Sequence, residues 1–356
     1  MPNRCVVLVL FGGKSVEHEV SCESARNIVA ALNPAKYEVI LVGIDKEGVF
    51  RLCSPEDLTR PECPRNRDEV VLVPHPQGGR VYNLRRGEIV ALPHVVFPVL
   101  HGTFGEDGTL QGLLEMVNLP YVGSGVTGSA ICMDKEVTKR LLREAGLPVA
   151  RFLVATENAV PSFSDAARVL GLPLFVKPAT LGSSVGAAKV GKEEEFCAAL
   201  AEAFQYDRRV LIEEYIAGRE IECSVLGNEN PCVSLPGEII PRHSFYSYEA
   251  KYLDPNGAEL LAPAPLDEET TRRIQELALL AFQVCRCEGM ARVDFFLRGN
   301  EIYINEVNTI PGFTKISMYP KLWEVSGIPY SLLLDRLIAL AFERKEKERK
   351  LRRSFR

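Results

Sequence analysis

The segment that most constrains this chain is residues 290–317, MARVDFFLRGNEIYINEVNTIPGFTKIS. Its alternating apolar and polar residues predict two antiparallel strands, joined by a tight turn and followed by a Pro-Gly loop. If residues 298–300 form the loop, Leu297 pairs with Glu301. This register decides which side chains meet, because a shift of one residue moves every side chain of a strand to the other face.

The polar face of this hairpin predicts a metal site. In the register above, Asp294 falls opposite Ile304, and the same face carries Glu306, Asn308 and Arg292. A two-residue loop would instead put Asp294 and Glu306 on opposite faces. Two carboxylates and a carboxamide suit hard cations such as magnesium. The alternative is a solvated acidic face, which fits poorly because one face is apolar while the polar residues converge on one place.

Composition indicates a soluble globular protein of two to three domains. The chain has 356 residues, of which 46% are hydrophobic and 25% charged, and its net charge of -5 gives no general attraction to nucleic acid or anionic membranes. The ten cysteines include no CxxC pair, and Cys285 and Cys287 are too isolated for a zinc site. With no signal-like segment, this cysteine usage favours a cytoplasmic protein without a membrane partner.

The first third of the chain predicts a doubly wound α/β domain. A buried strand at residues 6–11 runs into a Gly-Gly turn, and a helix at 22–32 leads to a second strand at 37–44. The GxGxxG pattern is missing, so a dinucleotide site is only weakly indicated. Residues 45–92 are rich in Pro, Arg and Glu and predict edge strands and loops without assignable chemistry.

Two polar residues follow predicted strands at the edge where such folds bind ligands. Glu17 comes after the Gly-Gly turn, where it is equally explained as an acid that complements a helix dipole. His101 follows a buried strand at residues 95–100 and opens a turn-rich connection. Both readings of each residue remain open at this point.

The middle of the chain carries a pattern suited to phosphate. Lys135 lies in the first turn of a predicted helix, where the dipole disfavours a cation, so either a phosphate partner or plain solvation explains it. Lys177 ends a predicted strand and precedes a loop of small residues at 180–186. The loop's N–H groups and hydroxyls suit phosphate oxygens, although the Walker spacing places lysine after the glycines.

Carboxylates after the next strand are candidates for nucleoside binding. Glu213, Glu214 and Glu220 suit ribose hydroxyls or an adenine amino group, and solvation explains them equally well. The polar, aromatic stretch at residues 241–265 lacks periodicity and is long enough to predict a lid. A final helix near 331–342 continues into a run of mixed charge, which predicts a solvated helical extension.

Taken together, these stretches resemble the D-alanine–D-alanine ligases of the ATP-grasp superfamily over nearly the whole chain. Seven motifs occur in the family's order. They are GGKSVEHEVS at 12–21, LHGTFGEDGTLQG at 100–112, VGSG…MDK ending at Lys135, VKPATLGSSVG at 176–186, YEAKY at 248–252, RVDFF at 292–296 and NEVNTIPGFTKIS at 305–317. The insert at residues 45–90 resembles the longer subclass of these ligases.

The resemblance implies an α/β fold, with α+β character in the C-terminal half. An N-terminal doubly wound domain at 1–130 would precede a two-subdomain ATP-grasp fold at 131–225 and 226–356. The implied activity is ATP-dependent ligation of two D-alanine molecules through a D-alanyl phosphate, for peptidoglycan precursors. It implies ATP, two Mg²⁺ or Mn²⁺ ions, no nucleic acid and a cytoplasmic homodimer.

The resemblance also assigns roles to residues of this chain. Contacts to ATP phosphates are implied for Lys135, Lys177, Ser183 and Ser184. Contacts to the adenosine are implied for Glu213, Glu214, Tyr215, Ile216, Glu220 and Phe296. Metal ligation is implied for Asp294, Glu306 and Asn308. Binding of the first D-alanine is implied for Glu17, near His101. Orientation of the second D-alanine and of the oxyanion is implied for Arg292, Gly312 and Ser317. Lid closure is implied for Lys251 and Tyr252. Catalytic roles fall on Glu17, Ser184, Tyr252, Arg292, Gly312 and Ser317.

The chain departs from the family pattern twice. Leu181 stands where many members carry glutamate, and Glu214 stands where lysine is common, so both bear on nucleotide affinity. The nearest rival functions are ligases that make D-alanyl-D-lactate or D-alanyl-D-serine, and the YEAKY segment favours D-alanine. Other rivals are a different ATP-grasp enzyme, such as a carboxylase, and a non-catalytic nucleotide-binding module.

Overall fold

The structure is a computed structural model and describes residues 4–183, 185–242 and 257–352. The elements of its first part are β1 (Cys5–Gly12), α1 (His18–Ala31), β2 (Tyr37–Ile44), β3 (Phe50–Cys53), a 3₁₀ turn (Pro55–Thr59), β4 (Val70–Val73), β5 (Arg80–Asn83), β6 (Glu88–Ala91), β7 (Val95–Pro98), α2 (Thr109–Met116) and α3 (Val126–Met133).

The sheet of the first part has the order β3-β2-β1-β7, in which β1 runs parallel to β2 and β7. The interior of β1 is an unbroken buried apolar run, as expected for a strand covered on both faces. Helix α1 begins at His18, four residues before the predicted start, so Glu17 is its N-cap residue. The predicted edge strands of residues 45–92 are confirmed as β3 and a separate sheet, β4-β5-β6.

An antiparallel sheet of the order β10-β9-β11-β8 forms the second part. Its elements are α4 (Lys135–Glu144), β8 (Phe152–Thr156), α5 (Phe163–Leu170), β9 (Leu174–Pro178), β10 (Ala188–Val190), α6 (Glu193–Ala203) and β11 (Arg209–Glu214). Asp134 caps α4 by accepting hydrogen bonds from two first-turn amides. The apolar side of the sheet packs against α5 and α6.

The third part contains the large sheet β15-β14-β12-β16-β17, with β13 beside β12. Its elements are β12 (Arg219–Gly227), β13 (Cys232–Val233), β14 (Gly237–Pro241), β15 (Ala258–Leu261), α7 (Glu268–Val284), β16 (Gly289–Arg298), β17 (Glu301–Asn308), α8 (Met318–Val325) and α9 (Tyr330–Arg349). Helix α9 continues through the charged run, as predicted, although Arg344 and Lys345 are buried rather than solvated. The division of the chain near residues 130 and 225 stays a prediction.

The register of β16 and β17 corrects the sequence prediction. The loop has two residues, because Arg298 pairs with Glu301. The predicted three-residue loop, the pairing of Leu297 with Glu301 and the placement of Asp294 opposite Ile304 are therefore wrong. The predicted shared face is nevertheless confirmed, since Asp294 lies directly opposite Glu306. A register shift between Asp294 and Phe295 is the cause: the pairing skips Asn305, and this bulge returns the carboxylates to one face.

Within the described residues, no single helix is long and apolar enough to cross a membrane. One bent pair, α8 with α9, passes that test together by length and composition, with an angle of 107° between its members.

Candidate active site

Three carboxylates lie in one row across adjacent strands. Glu222 of β12 pairs with Asp294 of β16, which pairs in turn with Glu306 of β17. The side chain of Glu222 is buried, and Asp294 and Glu306 remain partly accessible. Glu222 was missed by the sequence analysis, and its signal was the period-two spacing from Glu220 in a predicted strand. Such a row requires cations, because like charges on neighbouring strands repel.

Arg292 supplies one of these cations. Its Nε donates to Oδ1 of Asp294 at 2.7 Å and an Nη donates to Oδ2 at 2.6 Å, while its Nε lies 3.2 Å from Oε2 of Glu222. Burial would lower the pKa of Arg292, but the neighbouring carboxylates outweigh burial and hold that pKa well above its usual value. Arg292 is therefore a permanent positive charge at the centre of the acidic row.

The predicted metal ligands are brought together. Asn308 Nδ2 donates to Asp294 Oδ2 at 2.9 Å, and both residues line the same cavity as Glu306. Among the described residues, no group of three or more His, Cys, Asp and Glu side chains is arranged as a metal centre. Asp294, Glu306 and Asn308 combine two carboxylates with one carboxamide, and these oxygen donors fit a hard cation.

The two predicted phosphate-directed lysines line the same cavity. Lys135 Nζ donates to the carbonyl of Leu181 at 2.7 Å and lies 3.8 Å from Oε2 of Glu306. Lys177 Nζ donates to Asn305 Oδ1 at 3.3 Å. Burial lowers the pKa of Lys135. Both ammonium groups thus lie beside β17, at the end of the acidic row that Glu306 forms.

A turn after α6 holds the small-residue loop at both ends. Asp207 Oδ2 accepts from the amide and the hydroxyl of Thr180, each at 2.7 Å. At the other end, the ring of Tyr206 lies so close to Gly186 that a Cβ there would be 2.9 Å from Cδ2 of that ring. Gly186 also has a φ of +67°, which favours glycine. The loop is therefore anchored by contacts outside the cavity.

Glu213 is more deeply buried than the sequence analysis implied. Its Oε2 lies 3.1 Å from Lys177 Nζ, and its Oε1 lies 3.2 Å from Nζ of Lys139, a fully buried lysine that the sequence analysis did not consider. Burial raises the pKa of Glu213, but the two lysines lower it more, so the net shift is downward. The carboxylate is thus held ionised between two ammonium groups.

A chamber of about 440 Å³ lies beside these lysines. Glu220 and Phe296 form a cross-strand pair on its wall, and Tyr215 and Ile216 also line it. Lys189 Nζ lies 4.0 Å from the ring centroid of Tyr215. An aromatic ring, a short hinge and nearby carboxylates are suitable for a purine nucleoside.

Glu214, one of the two departures from the family pattern, has a structural partner outside the chamber. Its Oε1 accepts from the amide of Arg151 at 2.7 Å, and its Oε2 accepts from Arg151 Nε at 2.9 Å. Arg151 also donates to the carbonyls of Val169 and Leu170. The Glu214 side chain therefore fastens the end of β11 to the start of β8 and the end of α5.

A second, smaller chamber of about 180 Å³ contains Glu17. The hydroxyl of Ser183 donates a short hydrogen bond to Oε1 of Glu17, which joins the first part of the chain to the small-residue loop. Ser183 has a φ of +55°, an uncommon value for a non-glycine residue. The family resemblance implies only phosphate contacts for Ser183, so its contact with Glu17 was not predicted.

His101 connects the smaller chamber to the Pro-Gly loop. Its Nδ1 lies 2.9 Å from the carbonyl of Ile310, which can only accept, so Nδ1 carries the proton. Its Nε2 lies 3.3 Å from Ser24 Oγ, which in turn accepts from the amide of Phe313. Burial lowers the pKa of His101. A neutral His101 thus positions the loop between Ile310 and Phe313.

Glu106 lies in the same connection and was not among the predicted site residues. Its carboxylate accepts from the amide of Gly102 at 2.7 Å and from the amide of Ile310 at 3.0 Å. Burial, with the charge of Glu17 nearby, raises the pKa of Glu106 to about 8. The available signal was an acid five residues after His101 in a turn-rich motif at a strand end.

Gly312 and Ser317 meet at the far wall of the smaller chamber. A Cβ at Gly312 would lie 2.6 Å from Ser317 Oγ, so any larger residue would displace the Ser317 hydroxyl. Ser317 Oγ accepts from the amide of Thr314 at 2.9 Å, and Ser317 is the N-cap residue of α8. Ser184, Lys251 and Tyr252 lie outside the described residues. The predicted irregular lid at residues 241–265 is wrong at its described end, which forms strand β15 (Ala258–Leu261).

The two chambers adjoin, since both are lined by the small-residue loop at Gly182 and Ser183 and by Glu220, Phe296 and Glu306. The larger chamber ends in lysines and the smaller one in Glu17 and Arg292. At this junction, a phosphate group bound in the larger chamber would meet a small substrate with both an ammonium and a carboxylate group in the smaller chamber.

Comparisons with known proteins agree with this arrangement. The family described as "D-ala D-ala ligase N-terminus" matches residues 6–124, and "D-ala D-ala ligase C-terminus" matches residues 141–339. A "D-alanine--D-alanine ligase" from Oceanobacillus iheyensis is 50% identical over 356 residues, covering 97% of both chains. A "D-alanine--D-alanine ligase A" from Salmonella typhimurium is 49% identical over 346 residues, covering 94% of this chain and 95% of its own.

Solved structures of similar ligases also match this chain over most of its length. The D-alanine-D-alanine ligase from Coxiella burnetii superposes with a TM-score of 0.87 at 42% identity, covering 98% of this chain and 96% of its own. The VanG D-Ala:D-Ser ligase from Enterococcus faecalis superposes with a TM-score of 0.85 at 36% identity, covering 95% of this chain and 100% of its own.

Proposed function

The chain belongs to the D-alanine–D-alanine ligase family, and we propose that its two joined chambers divide the family's reaction between them. The protein is an ATP-dependent ligase that joins two D-alanine molecules to D-alanyl-D-alanine for peptidoglycan precursors. Its fold is the α/β ATP-grasp fold of these ligases, as the sequence predicted. The observation that carries the proposal is the junction of the chambers at Ser183 and Glu306.

In the larger chamber, ATP lies with its base toward Phe296 and Glu213 and its phosphates toward Lys135 and Lys177. Glu220 accepts from the ribose. This assignment is supported by the cavity between these groups and by the two buried ammonium groups that lie beside the small-residue loop. Phosphoryl transfer needs positioning and charge neutralisation, which these residue types supply.

In the smaller chamber, Glu17 accepts from the ammonium of the first D-alanine. The carboxylate of that D-alanine attacks the γ-phosphorus of ATP, so that ADP leaves and an acyl phosphate forms. The amine of the second D-alanine then attacks the acyl carbon, and phosphate leaves as the peptide bond forms. Arg292, the Gly312 amide and Ser317 orient the second D-alanine and stabilise the oxyanion, a contribution of about 3 kcal/mol per donor.

Asp294, Glu306 and Asn308 would hold the Mg²⁺ or Mn²⁺ ions. Their fit rests on the oxygen donors that the β-bulge brings to one face. Such ions neutralise phosphate charge during transfer. The family resemblance assigns Lys251 and Tyr252, which lie outside the described residues, to a lid that keeps water from the acyl phosphate. We also propose three units divided near residues 130 and 225, a homodimer and a cytoplasmic location, as the family resemblance implies.

The test is phosphate release from ATP and magnesium with D-alanine, D-lactate, D-serine and L-alanine supplied separately. Release with D-alanine is expected, and the likeness to a D-Ala:D-Ser ligase makes D-serine the most informative of the other three compounds. No release with D-alanine overturns the assignment. Glu17→Gln should raise KM for D-alanine. Glu19→Gln is the matched control, because Glu19 lies two residues after Glu17 and pairs with the exposed Lys46.

A further inference from the structure

Lys139 is a charged side chain that the reaction described above does not use. It lies one helical turn after Lys135 on α4, and its side chain is only 1% exposed. The described walls of both chambers are formed by other residues. A buried lysine of this kind is costly unless it compensates another charge. Its partner is Glu213, which does line the larger chamber.

The geometry places Glu213 between two lysines with different surroundings. Lys177 lies on the chamber side at 3.1 Å, and Lys139 lies behind the wall at 3.2 Å. Lys177 is assigned to the phosphates of ATP, so its charge is shared with them once ATP is bound. Lys139 has no access to the chamber, and its charge stays directed at Glu213.

We infer that Lys139 is a positioning residue that keeps Glu213 an ionised acceptor, and that it thereby sets the preference for a purine with a 6-amino group. The inference rests on the proposed nucleotide site. An ionised carboxylate only accepts hydrogen bonds, which matches the N–H groups of adenine. A protonated carboxyl has a donor and tolerates the 6-oxo group of hypoxanthine. The cation behind the wall therefore acts on base selectivity through Glu213.

The electrostatics of the surrounding elements agree with this role. Glu213 faces Lys139 and, at longer range, Lys135 on α4, and it faces Lys177 on β9. The negative charge of Glu306 on β17 raises the pKa of Lys139, as that of Glu213 does. Burial lowers the pKa of Lys139, and both carboxylates oppose that fall.

The test compares four variants of the full-length protein: Lys139→Met, Glu213→Gln, the double variant and Arg140→Met. Arg140 is the matched control, since it is the next cation on α4 and is mostly exposed. Equilibrium binding and KM are measured for ATP and inosine triphosphate. The ratio of the two affinities should fall about tenfold in Lys139→Met and stay unchanged in Arg140→Met.

The pH dependence distinguishes a charge effect from a packing effect. In Lys139→Met, ATP binding should weaken as pH falls, because burial raises the pKa of Glu213 and Lys139 no longer opposes that rise. Wild type should show no such weakening, and Glu213→Gln should lose affinity equally at every pH. In the Glu213→Gln background, Lys139→Met should cause no further change.

Several outcomes would overturn the inference. One is an unchanged ratio of affinities in a folded Lys139→Met protein; another is an equal loss with and without the Glu213 carboxylate. If Lys139→Met does not fold, the double variant, which removes both charges, is measured in its place. A ratio of affinities in the double variant that differs from that in Glu213→Gln would then count against the inference. Wild type that lacks D-alanine-dependent phosphate release refutes the proposed function instead, whereas active wild type with unaltered selectivity in Glu213→Gln refutes only this inference.

Discussion

Arg292 donates to both carboxylate oxygens of Asp294, at 2.7 and 2.6 Å, in the middle of a row of acidic side chains. The pair is formed by residues of the same strand that are two positions apart and therefore point the same way. This planar, two-point contact requires a guanidinium group. It fixes Asp294 in orientation beside the residues assigned to the metal and to the second substrate.

Arg292→Lys is therefore expected to lower kcat/KM for D-alanine by about 100-fold, because a lysine keeps the charge and loses the two-point geometry. Steady-state phosphate release measures this. The matched control is Arg298→Lys on the same strand, where the arginine pairs with the exposed Glu301. A variant at Arg292 that retained activity within about twofold would contradict the assigned role.

Glu106 should make stability depend on pH in a direction opposite to that of most carboxylates. Its pKa in the folded protein is raised to about 8, so it holds its proton between about pH 4.5 and 8 while the unfolded chain has lost it. Its contribution to the free energy of unfolding therefore falls as pH rises through that window and is constant above it.

Glu106→Gln tests this, because glutamine does not titrate. The Tm of the variant relative to wild type should rise as pH increases from about 5 to about 8. A difference that is constant over that range would contradict the raised pKa. Above about pH 8, where Glu106 is ionised, the substitution should also lower kcat, since glutamine cannot accept from both the Gly102 and the Ile310 amides through two oxygens.

Asp207 should affect ATP binding from outside the chamber. Asp207→Ala removes both hydrogen bonds to Thr180 and frees one end of the small-residue loop, so KM for ATP should rise about tenfold with less effect on kcat. Asp165→Ala is the control, because Asp165 accepts a side-chain hydrogen bond from Ser162 at the exposed start of α5. An equal rise in both variants would show that general destabilisation is the cause.

Sequence patterns predicted the strands and helices whose apolar periodicity is strong. Strand β2 matches its predicted bounds, and β1 and β7 end within one or two residues of theirs. Helix α8 was missed, because Pro320 and the preceding Pro-Gly loop interrupt its pattern. Short helices and strands with few periodic residues carry too little signal to be predicted from sequence.

Contacts between distant segments were the least predictable part of the site. The predicted face of Asp294 and Glu306 was right and the loop length wrong, because the skipped Asn305 has no signature in a single sequence. The contact of Ser183 with Glu17 spans 166 residues, and that of Glu106 with Ile310 spans 204. Such pairs depend on how the sheets pack, which local periodicity does not encode.

The pairing of Glu214 with Arg151 explains how this chain tolerates an acid where lysine is common. Glu214→Lys would place two cations together at the end of β11 and should lower Tm by about 2 °C, because the pair is partly exposed and screened. The double variant Glu214→Lys with Arg151→Glu restores opposite charges and should recover most of that loss. KM for ATP should rise in Glu214→Lys and return toward the wild-type value in the double variant, since Glu214 precedes the hinge at Tyr215. Recovery in neither Tm nor KM would show that the hydrogen bond to the Arg151 amide, rather than the ion pair, holds the hinge.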